Sequence, residues 1–459
     1  MNNLLKGALL AGGGAVTVGV VRRALGPVRP RYEPWERRPY GEFARKVLIV
    51  GGGFAGYNAV EKLCKLSRGR DDVGVMLVSQ ENYFTFWPML ASVIGGDVQT
   101  KNVAQPLRRT LIRLGASFRR ATLEGVDPER RVVRAGGREF SYDHLVLSLG
   151  AQPAYFGIPG VEEHAISIRG IGSGEEISDR VIERYEETTL AGAEVPEGKL
   201  TFVVIGGGAT GAEVAAELHN LLQELLVPDY PNIDPDRAKI ILIDRNKEIL
   251  KELDPALRRV ARKQLEELRI EVINNVKAKE ITADKVILDD GREIESENVI
   301  WTAGSRASAK LDDLPFPHDE RRGLTVDPFQ RVVGHENVWG IGDCAATVDE
   351  AGKPVPPNAQ AAVQEGEAVA RNILAAIDGE PLEPFRYRSV GQLVELGSEF
   401  AVNEIMGFNF SGHLAALFWR MTYLYKLESP QSRARIAADW LLDIFYEPTV
   451  TQIRRQDQA

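Results

Sequence analysis

Cysteine and histidine are scarce in this chain, which carries two cysteines, Cys64 and Cys344, and six histidines in 459 residues. Neither cysteine stands in a C-x-x-C or C-x-x-x-x-C pair, and the histidines are scattered without ligand spacing. This leaves no sequence-local redox disulfide and no zinc or iron–sulfur site, and it is the thiol usage of a reducing compartment. Cys344 reads as a small buried residue and Cys64 as a helix-core residue. A basic stripe is missing too. With a net charge of -9 the chain has no means of displacing counterions from a phosphate backbone, so nucleic acid is not among its expected partners. Long apolar runs are nearly absent. Leu4 to Val21 is interrupted by Lys6 and by Gly12-Gly13-Gly14, and it is marginal against the ~20 residues a spanning helix needs. Arg22, Arg23, Arg29 and Arg31 follow it. A signal anchor, a cleaved targeting segment and an interfacial helix all fit residues 1–44. Each puts them outside the globular fold, and a spanning form would keep the protein body on the cytoplasmic face by the positive-inside rule.

What the chain does have is one phosphate-cradling pattern twice. Lys46-Val-Leu-Ile-Val runs into Gly51-Gly-Gly53-Phe-Ala-Gly56, and Thr201-Phe-Val-Val-Ile runs into Gly206-Gly-Gly208-Ala-Thr-Gly211. Each is a buried strand, a G-x-G-x-x-G turn and the opening of an Ala/Glu/Leu-rich helix. The first glycine permits the turn, the second lets backbone approach a pyrophosphate, and the third lets helix pack on strand. Two such sites predict two dinucleotides and electron transfer between them. At ~150 residues per domain the length allows about three domains.

Alternation of apolar strands with helices predicts an α/β fold. The strand Val47–Val50, a helix from Gly56 to about Leu66 and the strand Val73–Val78 form a first unit. Short charged hairpins follow over Arg119–Arg134, then an apolar strand ending at Gly150. A helix over 170–190, a second unit over Thr201–Leu268, strands at Glu271–Asn274 and Asn298–Trp301, and a strand-glycine ending at Gly304 repeat the scheme. This is an internal duplication. A helix is expected from Ala359 to Ile377. The last part changes character: residues 413–427 and 436–446 interleave Trp, Tyr, Lys and Arg with Leu and Phe, as interfacial helices do.

The two fingerprints, Asn82-Tyr-Phe-Thr-Phe-Trp-Pro-Met-Leu90, Leu147-Ser-Leu-Gly150, Glu213-Val-Ala-Ala-Glu217, Gly342-Asp343-Cys344-Ala345 and Ala359-Gln360-Ala-Ala362-Val-Gln364 come in an order that resembles the type II NADH:quinone oxidoreductases. These are single-subunit, non-proton-pumping respiratory-chain flavoproteins of the FAD-dependent pyridine nucleotide oxidoreductase superfamily. The resemblance covers roughly residues 45 to 455. It implies two Rossmann-like domains, an FAD domain (45–164 and 306–384) interrupted by an NADH domain (165–305), and a C-terminal membrane-association region (385–459). It also implies NADH and a membrane quinone as substrates, peripheral attachment to a membrane surface, and a homodimer interface in the C-terminal region.

Carried over residue by residue, Gly51, Gly53 and Gly56 hold the FAD pyrophosphate, with Gly150 and Gly342 at neighbouring turns. An acid ordinarily ends the second strand of this unit and takes the ribose hydroxyls. Ser79 stands there instead, with Glu81 two residues on. Asp343 resembles the aspartate that hydrogen-bonds the ribityl chain; a turn or cap aspartate is the plain alternative. Gly206, Gly208 and Gly211 form the second turn. Asp244 ends its strand and favours NADH by repelling the extra phosphate of NADPH, while Arg245 beside it pulls the other way. Glu213 faces the nicotinamide approach, or is an early helix glutamate answering the dipole. Gln360 and Gln364, at i and i+4, put two amides on one side of a helix, the expected quinone side; a solvent-facing Ala/Gln helix is the alternative. Glu183 and Glu186 fall near a family glutamate between the quinone and nicotinamide regions, and Glu186 is carried forward with the two glutamines. A sulfide:quinone oxidoreductase and a disulfide reductase are disfavoured for want of cysteine pairs. A flavin-binding protein without turnover is the reading from another class.

Overall fold

The structure, a computed structural model, describes residues 38–168, 170–191, 196–320, 323–446 and 450–452. Residues 1–37 of the expected N-terminal segment and linker (1–44) therefore lie outside the described residues, while Tyr40 of the linker is buried and its hydroxyl donates to the Ser141 carbonyl at 3.1 Å. Two parallel five-stranded sheets carry the fold. The first has the order Val338–Gly340, His144–Leu147, Arg45–Val50, Val73–Ser79, Ser117–Arg120. The second has the order Ala165–Ser167, Asn298–Trp301, Thr201–Ile205, Lys239–Asp244, Ile270–Asn274. Val73–Ser79 and Thr201–Ile205 are buried at every position. That is why both read as continuous apolar runs rather than alternating ones: a parallel sheet has helices or other cover on each face.

In both sheets the glycine-turn strand is central, and the returning strand beside it is preceded by a three-stranded antiparallel meander. The first meander is Leu123–Asp127, Val132–Ala135 and Arg138–Ser141; the second is Ala278–Ile281, Lys285–Leu288 and Glu293–Glu295. The duplication is therefore deeper than strand-Gly-helix-strand. The chain leaves the first sheet through Ala151–Pro153 and comes back through Ser305–Ala307, and these two short strands pair antiparallel. The second sheet is thus an insertion in the course of the first, closed at its neck by that pair.

The helix Phe54–Leu66 starts two residues earlier than expected, because Gly53 is its N-cap. It crosses the helix Ala359–Asp378 at backbone distance. A Cβ on Gly366 would stand 2.4 Å from the Ala55 carbonyl oxygen and 2.9 Å from the Ala59 nitrogen, so only glycine fits the crossing. Asn358 caps the second of these helices by accepting the Ala361 N–H, and Gly379 in the left-handed region ends it.

Past the Ala359 helix, the meander Gly391–Glu395, Ala401–Ile405 and Phe408–Gly412 leads into the helices His413–Lys426 and Pro430–Asp443. The periodicity of residues 413–446 predicts the helices; the meander is an addition. Trp419 of the His413 helix is fully buried in the same apolar cluster as Val47, Ile49 and Leu77, whereas Val394, Leu396 and Val402 of the meander join Val204 and Leu218 of the second sheet's cluster. Each large apolar side chain so buried contributes about 1.5–3 kcal/mol, so the C-terminal part is held to both halves. Among the described residues no helix is long and apolar enough to cross a membrane.

Candidate active site

The two glycine turns are near copies at atomic level. Gly51 has φ +109° and Gly206 φ +117°, a region open to glycine. A Cβ on Gly51 would stand 2.1 Å from the Ser148 carbonyl oxygen, and one on Gly206 would stand 2.8 Å from Ala303 backbone. At the third glycine a Cβ would lie 2.0 Å (Gly56) or 1.8 Å (Gly211) from the carbonyl oxygen of the first. The middle glycines differ from both neighbours: nothing lies within 4 Å of a Cβ on Gly53 or Gly208. That open side is where a bound group can approach the backbone. Gly53 and Gly208 are also the N-caps of the Phe54 helix and of the helix Ala209–His219, and no side chain caps either. Helix N–H groups left without a side-chain cap, with the dipole behind them, are a built anion cradle.

A hydroxyl locks each turn. Ser148 Oγ sits 3.0 and 2.9 Å from the Val50 and Gly51 carbonyls, and Thr302 Oγ1 sits 2.9 and 3.0 Å from those of Ile205 and Gly206. Both follow the returning strand, in Leu147-Ser and Trp301-Thr. The sequence carried this signal in the echoed strand-glycine endings; the hydroxyl was the unread half of it.

The turns part company at the end of the next strand. Asp244 is buried, and its carboxylate accepts the Gly207 N–H at 2.6 Å and the Asn246 N–H at 2.6 Å. It therefore braces the second turn itself. At the matching place Ser79 packs under Gly52, where a Cβ would come to 2.7 Å of its Oγ. Glu81 is half-buried on the following turn. Arg245 is exposed and its guanidinium lies 5.9 Å from the Phe156 ring centroid.

A segment from late in the chain reaches the first turn, whereas the segment that reaches the second comes from close by: Leu250 N–H donates to the Gly207 carbonyl at 2.7 Å, and a Cβ on Gly207 would come to 2.6 Å of Ile249. Gly342, at φ +70°, stands against Ala55, where a Cβ would come to 3.0 Å. Its N–H donates to Glu365 of the Ala359 helix. Burial pushes the Glu365 carboxyl up to about 7. Asp343 does not cap its own short turn, which has no side-chain cap. Burial raises its carboxyl. Cys344 is buried, accepts the Leu149 N–H on Sγ at 3.2 Å, and is raised to about 12 by burial. Cys64 is raised to about 12 for the same reason, and both thiols are free. Gly150, at φ +66°, is open on its Cβ side, and its carbonyl accepts the Ser308 N–H at 3.1 Å.

Gln360 and Gln364 share a side of their helix, and both amides are engaged by one stretch of backbone. Gln360 Nε2 donates to the Gly391 carbonyl (2.6 Å) and its Oε1 accepts the Val390 N–H (3.1 Å). Gln364 makes the same pair with Arg388, at 2.9 and 3.0 Å. The pair thus ties the entry of the C-terminal meander to the Ala359 helix.

Glu186 is a surface residue. It is exposed on the outer face of the helix Gly172–Ala191 and accepts the Tyr230 hydroxyl at 2.9 Å, and Glu183 pairs with Arg180 on that helix at 4.0 Å. Glu186 faces solvent and Glu183 is half-buried. Between the second turn and the C-terminal part, Glu213 is raised by burial and then by the charge of Glu395, whose backbone also hydrogen-bonds it. One turn further along the same helix Glu217 is 2 % exposed. Asp97, Glu395 and Arg420 complete a cluster that sequence reading missed. Glu217 could have been found, since a second acid at i+4 on an otherwise apolar helix is expensive to bury without purpose.

Comparison with known proteins agrees with this geometry. The pyridine nucleotide-disulphide oxidoreductase family matches residues 45–366, and the NDH2 C-terminal domain matches residues 390–447. The demethylphylloquinone reductase of Synechocystis is 30% identical over 405 residues, covering 86% of this chain and 95% of that protein. The external mitochondrial NADH-ubiquinone oxidoreductase 2 of Saccharomyces cerevisiae is 30% identical over 449 residues, covering 86% and 80%. Among solved structures, NDH2 of Plasmodium falciparum in complex with NADH superposes with a TM-score of 0.80 at 19% identity over 89% of this chain and 100% of that one. The sulfide:quinone oxidoreductase of Aquifex aeolicus superposes with 0.70 at 21% identity, over 90% and 96%.

Proposed function

Since the chain belongs to the pyridine nucleotide-disulphide oxidoreductase family, and within it to the type II NADH dehydrogenases, it oxidises NADH and reduces a quinone through a flavin cofactor; we propose how its residues divide that work. The observation that carries the division is the segment from late in the chain. Gly342, Asp343 and the Ala359 helix close on the first glycine turn alone, which fits a dinucleotide held permanently there, and we take it to be FAD. The open side of Gly53, the cap-free start of the Phe54 helix and the half-buried carboxyl of Asp343 suit its pyrophosphate and its hydroxyl-bearing chain. Bound there, the flavin supplies the two-electron chemistry that no side chain here can. Residues 45–164 and 306–384 form its domain.

Residues 165–305 receive NADH as a visitor at Gly206, Gly208 and Gly211. Asp244 shapes that site by bracing the turn as well as by its charge. Glu213, one helical turn in, faces the nicotinamide side. Gln360 and Gln364 act by holding residues 388–391 in place, so that the quinone meets the flavin between the Ala359 helix and the C-terminal part, residues 385–459.

The quinone's membrane is met by an apolar face. Leu414, Leu417, Phe418, Met421 and Tyr425 are all exposed, at the i, i+3, i+4, i+7, i+11 spacing of one stripe of the His413 helix. Leu441, Leu442, Ile444, Phe445 and Tyr446 add to it at the end of the Pro430 helix. An apolar stripe flanked by Lys426 and Arg433, each on a tyrosine ring, has the make-up of an interfacial anchor on the cytoplasmic face. A homodimer through the same face is the competing occupant, and Leu417→Glu with Phe418→Glu separates them: the membrane reading expects lost liposome flotation with an unchanged sedimentation coefficient.

Anaerobic stopped-flow tests the reaction assignment. The visible flavin band should bleach with NADH and return with a short-chain quinone; a band that stays bleached would overturn the quinone step. The sulfide:quinone reading has only fold likeness behind it. Its redox thiols are wanting, since Cys344 is locked among the strand ends and Cys64 lies on the Phe54 helix beside Glu61.

A further inference from the structure

Oxidising one NADH with one quinone consumes a proton from water. The C–H bond of NADH breaks and delivers two electrons with one proton's worth of hydrogen, while quinol needs two new O–H bonds. The described residues contain one buried cluster suited to hold that second proton. Asp97, on the turn after residues 91–93, Glu217 of the Ala209 helix and Glu395 at the end of its strand are each at least nine-tenths buried. Arg420, from the His413 helix, is the cation among them, 3.4 Å from Asp97 and 3.6 Å from Glu395. Ser92 Oγ lies 3.5 Å from the other oxygen of Glu395.

Three buried carboxyls against one guanidinium cannot all be ionised where water is excluded, because like charges there repel strongly. Two of the oxygens, Glu217 Oε2 and Glu395 Oε1, have no hydrogen-bond partner. Glu217 Oε2 is also pressed toward Gly95, where any side chain would come to 2.2 Å of it. An ionised oxygen in that position is very costly; a protonated one is tolerable. The place of the cluster matters as much. Glu213, one turn nearer the second glycine turn, borders it. The strand Gly391–Glu395 runs from the Gln360 anchor at its start to the cluster at its end, about 13 Å away at the usual rise per residue. Asp443 of the Pro430 helix and Glu224 after the Ala209 helix, both exposed, add negative charge near Asp97, and Tyr423 faces Glu213 and Glu395 from the His413 helix.

We propose that Glu217, Glu395 and Asp97, bridged by Arg420, are a buried proton store that takes a proton at the Asp97 side and gives it up toward the quinone side through Glu395. This rests on the quinone assignment above. Burial raises all three carboxyls, Asp97 to about 6 and Glu395 to about 8, with Arg420 acting against the rise, so a proton can be exchanged near neutrality.

Infrared spectroscopy and half-reaction kinetics of the flavin-loaded protein test it. The neutral-pH protein should show a carboxylic-acid carbonyl band that shifts in deuterium oxide and shrinks in Glu217→Gln. In the same variant, and in Glu395→Gln should the first not fold, reoxidation by quinone should slow about a hundredfold, the size of general acid–base assistance, and lose its pH dependence. Flavin reduction by NADH should change far less. No carboxylic-acid band, or reoxidation at the native rate with the native pH profile, would overturn the store. A native protein whose flavin NADH reduces but quinone does not reoxidise would instead overturn the quinone assignment, with the infrared band still reporting on the cluster itself.

Discussion

The two glycine turns share a backbone to within small differences of angle, yet they are built into opposite kinds of site. At the first, the side chain under the turn is a small serine, and bracing comes from outside: Gly342 against Ala55, Glu365 on the Gly342 N–H, and the Ala359 helix crossing the Phe54 helix at Gly366. At the second, bracing comes from nearby chain: Asp244 accepts the Gly207 N–H, and Leu250 N–H donates to the Gly207 carbonyl. A turn closed over by later chain suits a ligand that stays. One that carries its own brace suits a ligand that comes and goes. The fingerprint itself is silent on this difference, because it encodes the turn and not its cover.

The largest effect should come from the third glycines. Gly56→Ala puts a methyl 2.0 Å from the Gly51 carbonyl and Gly211→Ala one 1.8 Å from that of Gly206, so in both the helix must leave the strand. Gly56→Ala is expected to purify without the flavin's visible absorbance. Gly211→Ala should keep the absorbance and lose bleaching by NADH. Loss of flavin from both, or from neither, would break the division of the two sites.

Next in size is Asp343→Ala. Losing a charged hydrogen-bond partner costs about 1.5–3 kcal/mol, so flavin retention should weaken roughly tenfold to hundredfold in a dilution assay, while the NADH affinity of the protein that still holds flavin stays put. Asp244→Ala is the mirror experiment. It frees the Gly207 and Asn246 N–H groups, which costs about 1–3 kcal/mol, and the KM for NADH should rise about tenfold with flavin fully retained. Adding Arg245→Ala measures how far that arginine serves NADPH, through the ratio of the two KM values.

How much of this was legible follows from what each feature depends on. The two sheets, the glycine turns and the terminal helices were readable because they rest on local sequence: apolar runs, turn glycines, aromatic stripes. The second meander was readable in hindsight from Asp289-Asp290-Gly291 between short strands. The acid cluster was not, since Asp97, Glu217, Glu395 and Arg420 come from four distant elements, and nothing local says that they meet. The surroundings of Glu186 were not legible either: its neighbours along the chain are informative about helix, but the phase of that helix against the sheet is set by tertiary packing around Ile177, Val181 and Tyr185.

Glu365 sharpens the comparison through pH. Its folded-state value of about 7 lies above an ordinary 4.5, so the folded protein keeps that proton longer than the unfolded chain does. Its contribution is favourable at low pH and is lost as pH rises from about 4.5 through about 7, levelling off above. Glu365→Gln keeps an acceptor for the Gly342 N–H and removes the titration. Its melting temperature should therefore fall less than that of the native protein across the same window, with the flavin released less readily at the alkaline end. An unchanged slope would place the proton elsewhere.

The smallest expected effect is also the most symmetrical. Ser148 and Thr302 lock their turns with one hydroxyl each, at nearly equal distances, and Ser148→Ala and Thr302→Val remove that hydroxyl with little change of shape. Each should lower stability by about 1 kcal/mol, the usual worth of a neutral hydrogen bond. Their consequences for binding should differ. At the first turn the cover from Gly342 and Glu365 remains, so flavin retention in Ser148→Ala should hardly move. At the second turn the braces left are Asp244 and the Leu250 N–H on Gly207, with no cover from late in the described chain, so Thr302→Val should raise the KM for NADH several-fold. Equal changes at both sites would mean that the covering segment does not stiffen the first turn, and the contrast between a kept ligand and a visiting one would have to rest on Asp343 alone.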